Sequence, residues 1–138
     1  MKILKVITIL ALMTILVLPG CQKDSTTIPS GDSRSAFLGN WGGSDTELKF
    51  YYNAVITADT TSSNGVLIRN FGGIGNSYPP AKARVSGNTI TLNLDQVVGD
   101  GLILNGSGVI SGTTVINWKY TLFDGATLRK FTSVFTRR

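Results

Sequence analysis

Histidine is absent from the 138-residue chain, and cysteine occurs once, at position 21. These two gaps exclude an internal disulfide, a Cys/His zinc cluster and any Ser-His or Cys-His catalytic pair. Charge is also scarce, at 15% of residues. Lys2 and Lys5 belong to a leader, and the rest of the chain carries eleven Lys and Arg against eight Asp and Glu. So mild an excess, with no clustered Lys/Arg, argues against a nucleic-acid partner. Outside the leader no stretch of ten or more residues repeats with the 3.6-residue period of a helix.

Little catalytic chemistry survives these gaps. A serine nucleophile would need lysine as its base, and the Ser-x-x-Lys spacing does not occur. Asp45 and Glu47 stand two apart, on one side of a strand and roughly 7 Å from each other, which suits paired acid catalysis; near a strand start such a pair reads more simply as a solvated edge. Gly72-Gly73-Ile74-Gly75 is followed by Ser77-Tyr78-Pro79-Pro80 rather than by a helix start with Lys-Ser/Thr, so it is a wide turn or lid and not a phosphate loop. Asp95 and Asp100 lack calcium-loop spacing. No enzymatic activity, metal or dissociable cofactor is expected. Arg137 and Arg138 read as a solubilising end.

What is present begins with the leader. Met-Lys-Ile-Leu-Lys is a basic start, Val6 to Leu18 is an apolar run, and a small residue, Gly20, precedes Cys21. Thirteen residues rise roughly 20 Å as a helix, short of the ~30 Å hydrocarbon core. A cleaved signal peptide over residues 1–20 is therefore expected, not a membrane-spanning anchor. Leu18-Pro19-Gly20-Cys21 resembles the lipobox of bacterial lipoproteins, with Pro19 as a departure. The resemblance implies a diacylglyceryl group on the Cys21 thiol, cleavage before it and an acyl chain on the new amino group. Two or more acyl chains give stable membrane anchoring, at ~0.8 kcal/mol per buried methylene.

Gln22-Lys23-Asp24 in turn resembles the export signal of Bacteroidota-type surface lipoproteins. It implies an outer-membrane protein facing the cell exterior, the alternative being the periplasmic face. Residues 21–35 comprise the lipidated cysteine and a Ser/Thr/Asp-rich flexible tether; its fourteen residues after Cys21 reach at most about 46 Å. Asp24-Ser25-Thr26 and Asp59-Thr60-Thr61 resemble the O-glycosylation motif of the same bacterial group.

Residues 36–138 alternate short apolar-periodic runs with Gly, Asn and Asp turns, the pattern of an antiparallel meander. Leu48, Phe50, Tyr52, Ala54 and Ile56 share one strand face, as do Ile116, Trp118, Tyr120 and Leu122. Asn64-Gly65 and Asp124-Gly125 are turn signals. Val85-Ser-Gly-Asn-Thr and Ile110-Ser-Gly-Thr-Thr are near copies of one hairpin unit in which glycine supplies positive φ. About eight strands follow, near 37–42, 46–58, 65–71, 81–86, 89–95, 102–110, 113–122 and 127–136. An open meander of that size leaves an unpaired edge, and closure removes it. The expected fold is all-β, an up-and-down barrel of antiparallel strands, with a two-sheet β-sandwich as the alternative.

Phe37-Leu38-Gly39-Asn40-Trp41 resembles the start of lipocalin-like barrels, whose Gly-x-Trp lays an indole across the barrel floor. With Asn70-Phe71-Gly72-Gly73, Val85-Ser86-Gly87-Asn88-Thr89 and Ile110-Ser111-Gly112, the domain is similar to a family of small Bacteroidota lipoproteins with this fold. An eight-stranded barrel is only just wide enough for side chains to fill, so Trp41, Trp118, Tyr120 and Phe131 read first as core. Two uses remain. The barrel binds a small hydrophobic or sugar-like ligand at one mouth, for which Trp41, Tyr52, Tyr78, Trp118 and Tyr120 are the candidates. Alternatively it is a structural, interaction or inhibitor lipoprotein that offers its outer face, including Tyr51 and the glycine-rich loop, to another envelope or host protein.

Overall fold

A computed structural model describes residues 31–138; the leader, Cys21, Gln22-Lys23-Asp24 and Asp24-Ser25-Thr26 lie outside the described residues. Nine strands run in sequence: β1 (Gly39–Asp45), β2 (Phe50–Ala58), β3 (Gly65–Arg69), β4 (Ala81–Ser86), β5 (Thr89–Leu92), β6 (Gln96–Val98), β7 (Leu102–Ser111), β8 (Val115–Phe123) and β9 (Leu128–Arg137). Every pairing is antiparallel. Neighbours in sequence pair except β5 and β6, β1 pairs with β9, and β5 pairs with β7 through Thr89–Thr91 and Ser107–Val109. That closes an eight-stranded barrel and bears out the all-β, up-and-down reading over the sandwich. β6 is a stub on the same edge of β7 as β5, pairing Gln96–Val98 with Leu102–Leu104.

The hairpins follow from turn chemistry. Gly87 and Gly112 take left-handed φ values of 55° and 61° in the two copied units. Asp124 holds the β8–β9 turn by accepting from the main-chain N–H groups of Ala126 and Thr127 at 3.0 and 2.7 Å. Asn64-Gly65 behaves differently. Gly65 already belongs to β3, and the turn is the longer loop 59–64, where the Asp59 carboxylate accepts from the N–H and hydroxyl of Thr61.

Alternate residues face inward, and glycines fix how the interior is filled. Gly43 lies directly opposite Tyr52, and Gly108 opposite Trp118. A Cβ on Gly43 would stand 2.5 Å from the Tyr52 ring, and one on Gly108 2.8 Å from the indole. Each glycine thus leaves the space in which a neighbouring strand's ring lies. Phe71 meets Trp118 and Tyr120 edge-on at 4.8 and 5.0 Å between centroids, and Phe135 contacts Tyr52, Phe71 and Trp118. Such contacts contribute about 0.5–1.5 kcal/mol each beyond area burial.

Candidate functional site

The barrel has two unlike ends. One is formed by the starts of β1, β3, β5 and β8 with the ends of β2, β4, β7 and β9; the chain enters there, so it is the near end. Trp41 closes it, fully buried, its indole N–H donating to the Phe37 carbonyl at 2.8 Å. The expected indole across the floor is what is found. Arg137 lies over the Trp41 ring at 4.4 Å and donates to the main-chain carbonyls of Thr113, Leu38 and Ala36. Arg137 is therefore not a solubilising end but a clamp that ties β9, the β7–β8 turn and the entering chain together. Arg34 does the same for the loop after β2, donating to the carbonyls of Asp59, Ser62 and Gly65 at 2.9–3.1 Å while pairing with Asp32 at 2.7 Å. That partner holds the Asp32 carboxyl down at about 2. Within the stretch expected to be tether, Arg34 is thus bonded to the barrel, while Asp32, Ser33 and Ser35 are exposed. Asp59-Thr60-Thr61 sits in this same loop, with Thr60 exposed.

The far end is covered by residues 70–80. A single 3-10 turn, Phe71–Gly73, puts Phe71 into the barrel. Asn70, with φ 57°, anchors the turn by donating to the Asn53 carbonyl and accepting from the Gly75 N–H, both at 2.7 Å. The Tyr78 hydroxyl donates to Asp100 at 2.6 Å and ties the segment to the turn before β7. This segment is the lid read from the glycines. The hollow beneath it, bounded by Ile68, Phe71, Ile74 and Val98, measures about 10 Å³, room for one water at most.

Of the five residues expected around a ligand, Trp41, Tyr52, Trp118 and Tyr120 are core side chains, 0–7% exposed. Tyr78 is half-buried in the lid, lining the small hollow there while its hydroxyl reaches Asp100. No open mouth brings them together.

A polar group sits inside the aromatic core. Asp45, read as a solvated edge, is 1% exposed, because β1 continues to residue 45 and places it on the face of Trp41 and Gly43. The Tyr120 hydroxyl donates to one carboxylate oxygen at 2.9 Å; the other oxygen has no partner among the described residues, nor has the Trp118 indole N–H. Burial pushes the Asp45 carboxyl above its ordinary range, and the Tyr120 bond only partly opposes this. Burial likewise raises the Tyr52 and Tyr120 hydroxyls. Tyr52 and Ser133 lie 3.2 Å apart, and Ser133 donates to the Ser44 carbonyl.

Glu47 turns away from Asp45. Its carboxylate accepts from the N–H and hydroxyl of Thr132 at 2.9 and 2.8 Å, which holds its carboxyl below the usual range. The two acids thus have separate partners, Asp45 with Tyr120 in the core and Glu47 with Thr132 at the strand edge.

The outside shows the complementary asymmetry. Of the eight exposed large apolar side chains among the described residues, Leu48, Phe50, Tyr51, Leu94, Val97 and Leu128 lie at the far end, while Val109 and Val134 lie on the wall. Leu48 and Phe50 were expected to share the buried face of Tyr52; Leu48 is exposed in the turn before β2, while Phe50 stacks on Tyr52 at 6.0 Å between centroids and stays half-exposed at the rim. The Phe50 ring still packs against Gly73 of the lid. On the wall of β7–β9 a groove of about 420 Å³ runs beside Glu47, Lys119, Thr121, Lys130 and Thr132.

Compared with known proteins, the chain matches no family model and no curated protein. Among the described residues no group of three His, Cys, Asp or Glu side chains is placed to hold a metal ion, and no helix is long and apolar enough to cross a membrane.

Proposed function

We propose that the chain is a small lipoprotein of the Bacteroidota type, held in the outer membrane by acyl chains on Cys21 and displayed at the cell surface. Its barrel serves as an interaction module that binds another protein through its exterior at the far end. The observation that carries the binding half is the aromatic packing of the interior, where Phe71 contacts Trp118, Tyr120 and Phe135 and the hollow beneath the lid measures about 10 Å³; this favours recognition at the outer surface. Of the two uses weighed from sequence, this favours the interaction protein. A small hydrophobic or sugar-like ligand would first have to displace Phe71 from its contacts with Trp118 and Tyr120.

The far end suits the task because six of the eight exposed large apolar side chains among the described residues stand there; a cluster of exposed apolar side chains marks an interaction surface, and Tyr51 is of the type that anchors protein interfaces. The near end is where the tether arrives, so a lipid on Cys21 would leave the far end pointing away from the membrane.

The test is twofold. Cells fed labelled palmitate should mark the wild type and not Cys21→Ser, and external protease should digest the domain on intact cells while a periplasmic control survives. A Cys21→Ser chain that still carries label would overturn the anchor; protection from protease would turn the domain to the periplasmic face. Intrinsic tryptophan fluorescence that shifts on titration with a sugar or lipid would restore the small-ligand reading.

A further inference from the structure

Two strand edges outrun their neighbours: β2 over Phe50–Ala54 extends past its ladder with β3, where Asn70 donates to the Asn53 carbonyl, and β1 is shorter than β9. Pairing between them ends at Asp45 and Ser133, whereas β9 begins at Leu128 and continues its ladder with β8 down to Phe123 and Leu128. Along an antiparallel strand, main-chain groups point alternately to the two neighbours. The N–H of Arg137 donates to the Thr114 carbonyl on the β8 side, and the carbonyl of Thr132 accepts from the N–H of Thr46 on the β1 side. Odd positions of β9 therefore serve β8, and even positions serve β1. At Thr132 the ladder is already ending: its N–H is taken by the Glu47 carboxylate, which stands in for a strand that has left. The next even positions, Lys130 and Leu128, face the place where β1 would have continued, and no main-chain or side-chain partner among the described residues reaches their N–H or C=O groups.

From this geometry we infer that the Leu128–Phe131 edge of β9 is a docking site for an extended, acidic segment of a partner protein, which adds as a strand in line with β1. This rests on the reading of the barrel's exterior as its binding surface and names the partner chemistry. Main-chain hydrogen bonds to an open edge supply affinity, and alternate side chains supply selectivity. Lys130 lies on the edge itself, and Lys119 is its diagonal neighbour on the outer face across β8. Both line the groove, together with Glu47. Glu47 is the one acid in that lining, and its oxygens already accept from Thr132. Carboxylate side chains on the outward face of an added strand would meet two lysines. A second copy of this chain, paired edge to edge, would set Lys130 beside its own counterpart, and like charges opposite each other destabilise a strand pair. The same lysine that guards the edge against self-association selects an acidic visitor.

The test uses the full chain in lipid nanodiscs, with hydrogen exchange resolved to the 128–131 segment. The probes are a short peptide of alternating glutamate and valine, and its lysine-for-glutamate counterpart. The acidic peptide should slow exchange in 128–131, and the basic one should not. Lys130→Pro removes an N–H that β8 does not use, a position at which an edge strand tolerates proline; it should keep the fold and abolish the protection. Lys130→Glu leaves the main chain intact and should weaken the acidic peptide about tenfold or more while admitting the basic one, so the test survives if the proline variant fails to fold. Equal protection by both peptides, or none by either, overturns the proposal. Protection elsewhere at the far end but not in 128–131 also overturns it while leaving exterior binding intact. Protection without peptide that rises with protein concentration assigns the edge to a second copy and overturns the acidic partner.

Discussion

The near and far ends of this barrel are built from the same strands and differ in what closes them. At the near end two arginines reach main-chain carbonyls, Arg137 three of them and Arg34 another three, and Trp41 fills the floor. At the far end the closure is a turn plugged by Phe71, flanked by exposed Leu48, Tyr51, Leu94 and Leu128 and by the free edge of β9. Guanidinium groups that satisfy carbonyls seal an end without presenting anything to a visitor. Apolar side chains left outside do the opposite, because they lower stability and solubility unless something covers them. With recognition at the far end as proposed, stability and recognition lie at opposite ends of the barrel axis.

Substitutions at the two ends should differ in effect, and the largest loss of stability belongs to the near end. Arg137→Ala removes the stack on Trp41 and leaves three carbonyls without their donor, so it should cost about 3 kcal/mol in chemical denaturation; a loss below about 1 kcal/mol would mean that the clamp is ornamental. Arg34→Ala should lower the melting temperature less, and hydrogen exchange should rise in loop 59–64 before the rest of the barrel. At the far end Tyr51→Ser and Leu94→Ser should leave stability within about 0.5 kcal/mol while reducing capture of the partner. A large loss of stability there would make those residues structural and erase the contrast.

Asp45 makes the stability of the core depend on pH. Its carboxyl titrates higher in the folded chain than in the unfolded one, so the folded state holds the proton more tightly. The stabilisation this brings is complete at low pH and is lost as pH rises through the folded-state value. Asp45→Asn removes the charge and keeps a polar group for Tyr120. Melting curves of the two proteins should therefore converge, or the wild type gain, on acidification from neutral pH, with the variant at least as stable at pH 7. Asp32, Glu47, Asp59 and Asp124 have the opposite sign, their carboxyls being lowered, and their contribution fades as pH falls. A variant that tracks the wild type at every pH would show that Asp45 has no shifted titration.

Much of this fold is legible in the sequence because its turns are chemically explicit. The paired Gly87 and Gly112 units, Asp124 and the Trp118-Tyr120 alternation place most strands within a few residues. The departures have physical causes. Residues 93–95 interrupt what reads as one strand over 89–95, with Asp95 at φ 50°, so β6 appears as a separate stub. β1 runs to Asp45 instead of stopping near 42, and that extension turns an apparent surface acid into a buried one. Arg34 and Arg137 bind carbonyls far away in sequence, and main-chain acceptors leave no residue pattern to read. Gly43 and Gly108 acquire meaning only when register sets Tyr52 and Trp118 opposite them. The open edge at Lys130 is likewise a difference in strand length between β1 and β9, which no composition reveals.

The most direct test of the claim that this barrel works through the outside of its far end is photo-crosslinking on intact cells from Tyr51 and Leu94, with Thr60 and Gly112 as near-end controls. A discrete protein adduct is expected from the far-end positions and none from the near-end pair. Adducts of equal yield from both ends, or from the near end alone, would contradict it.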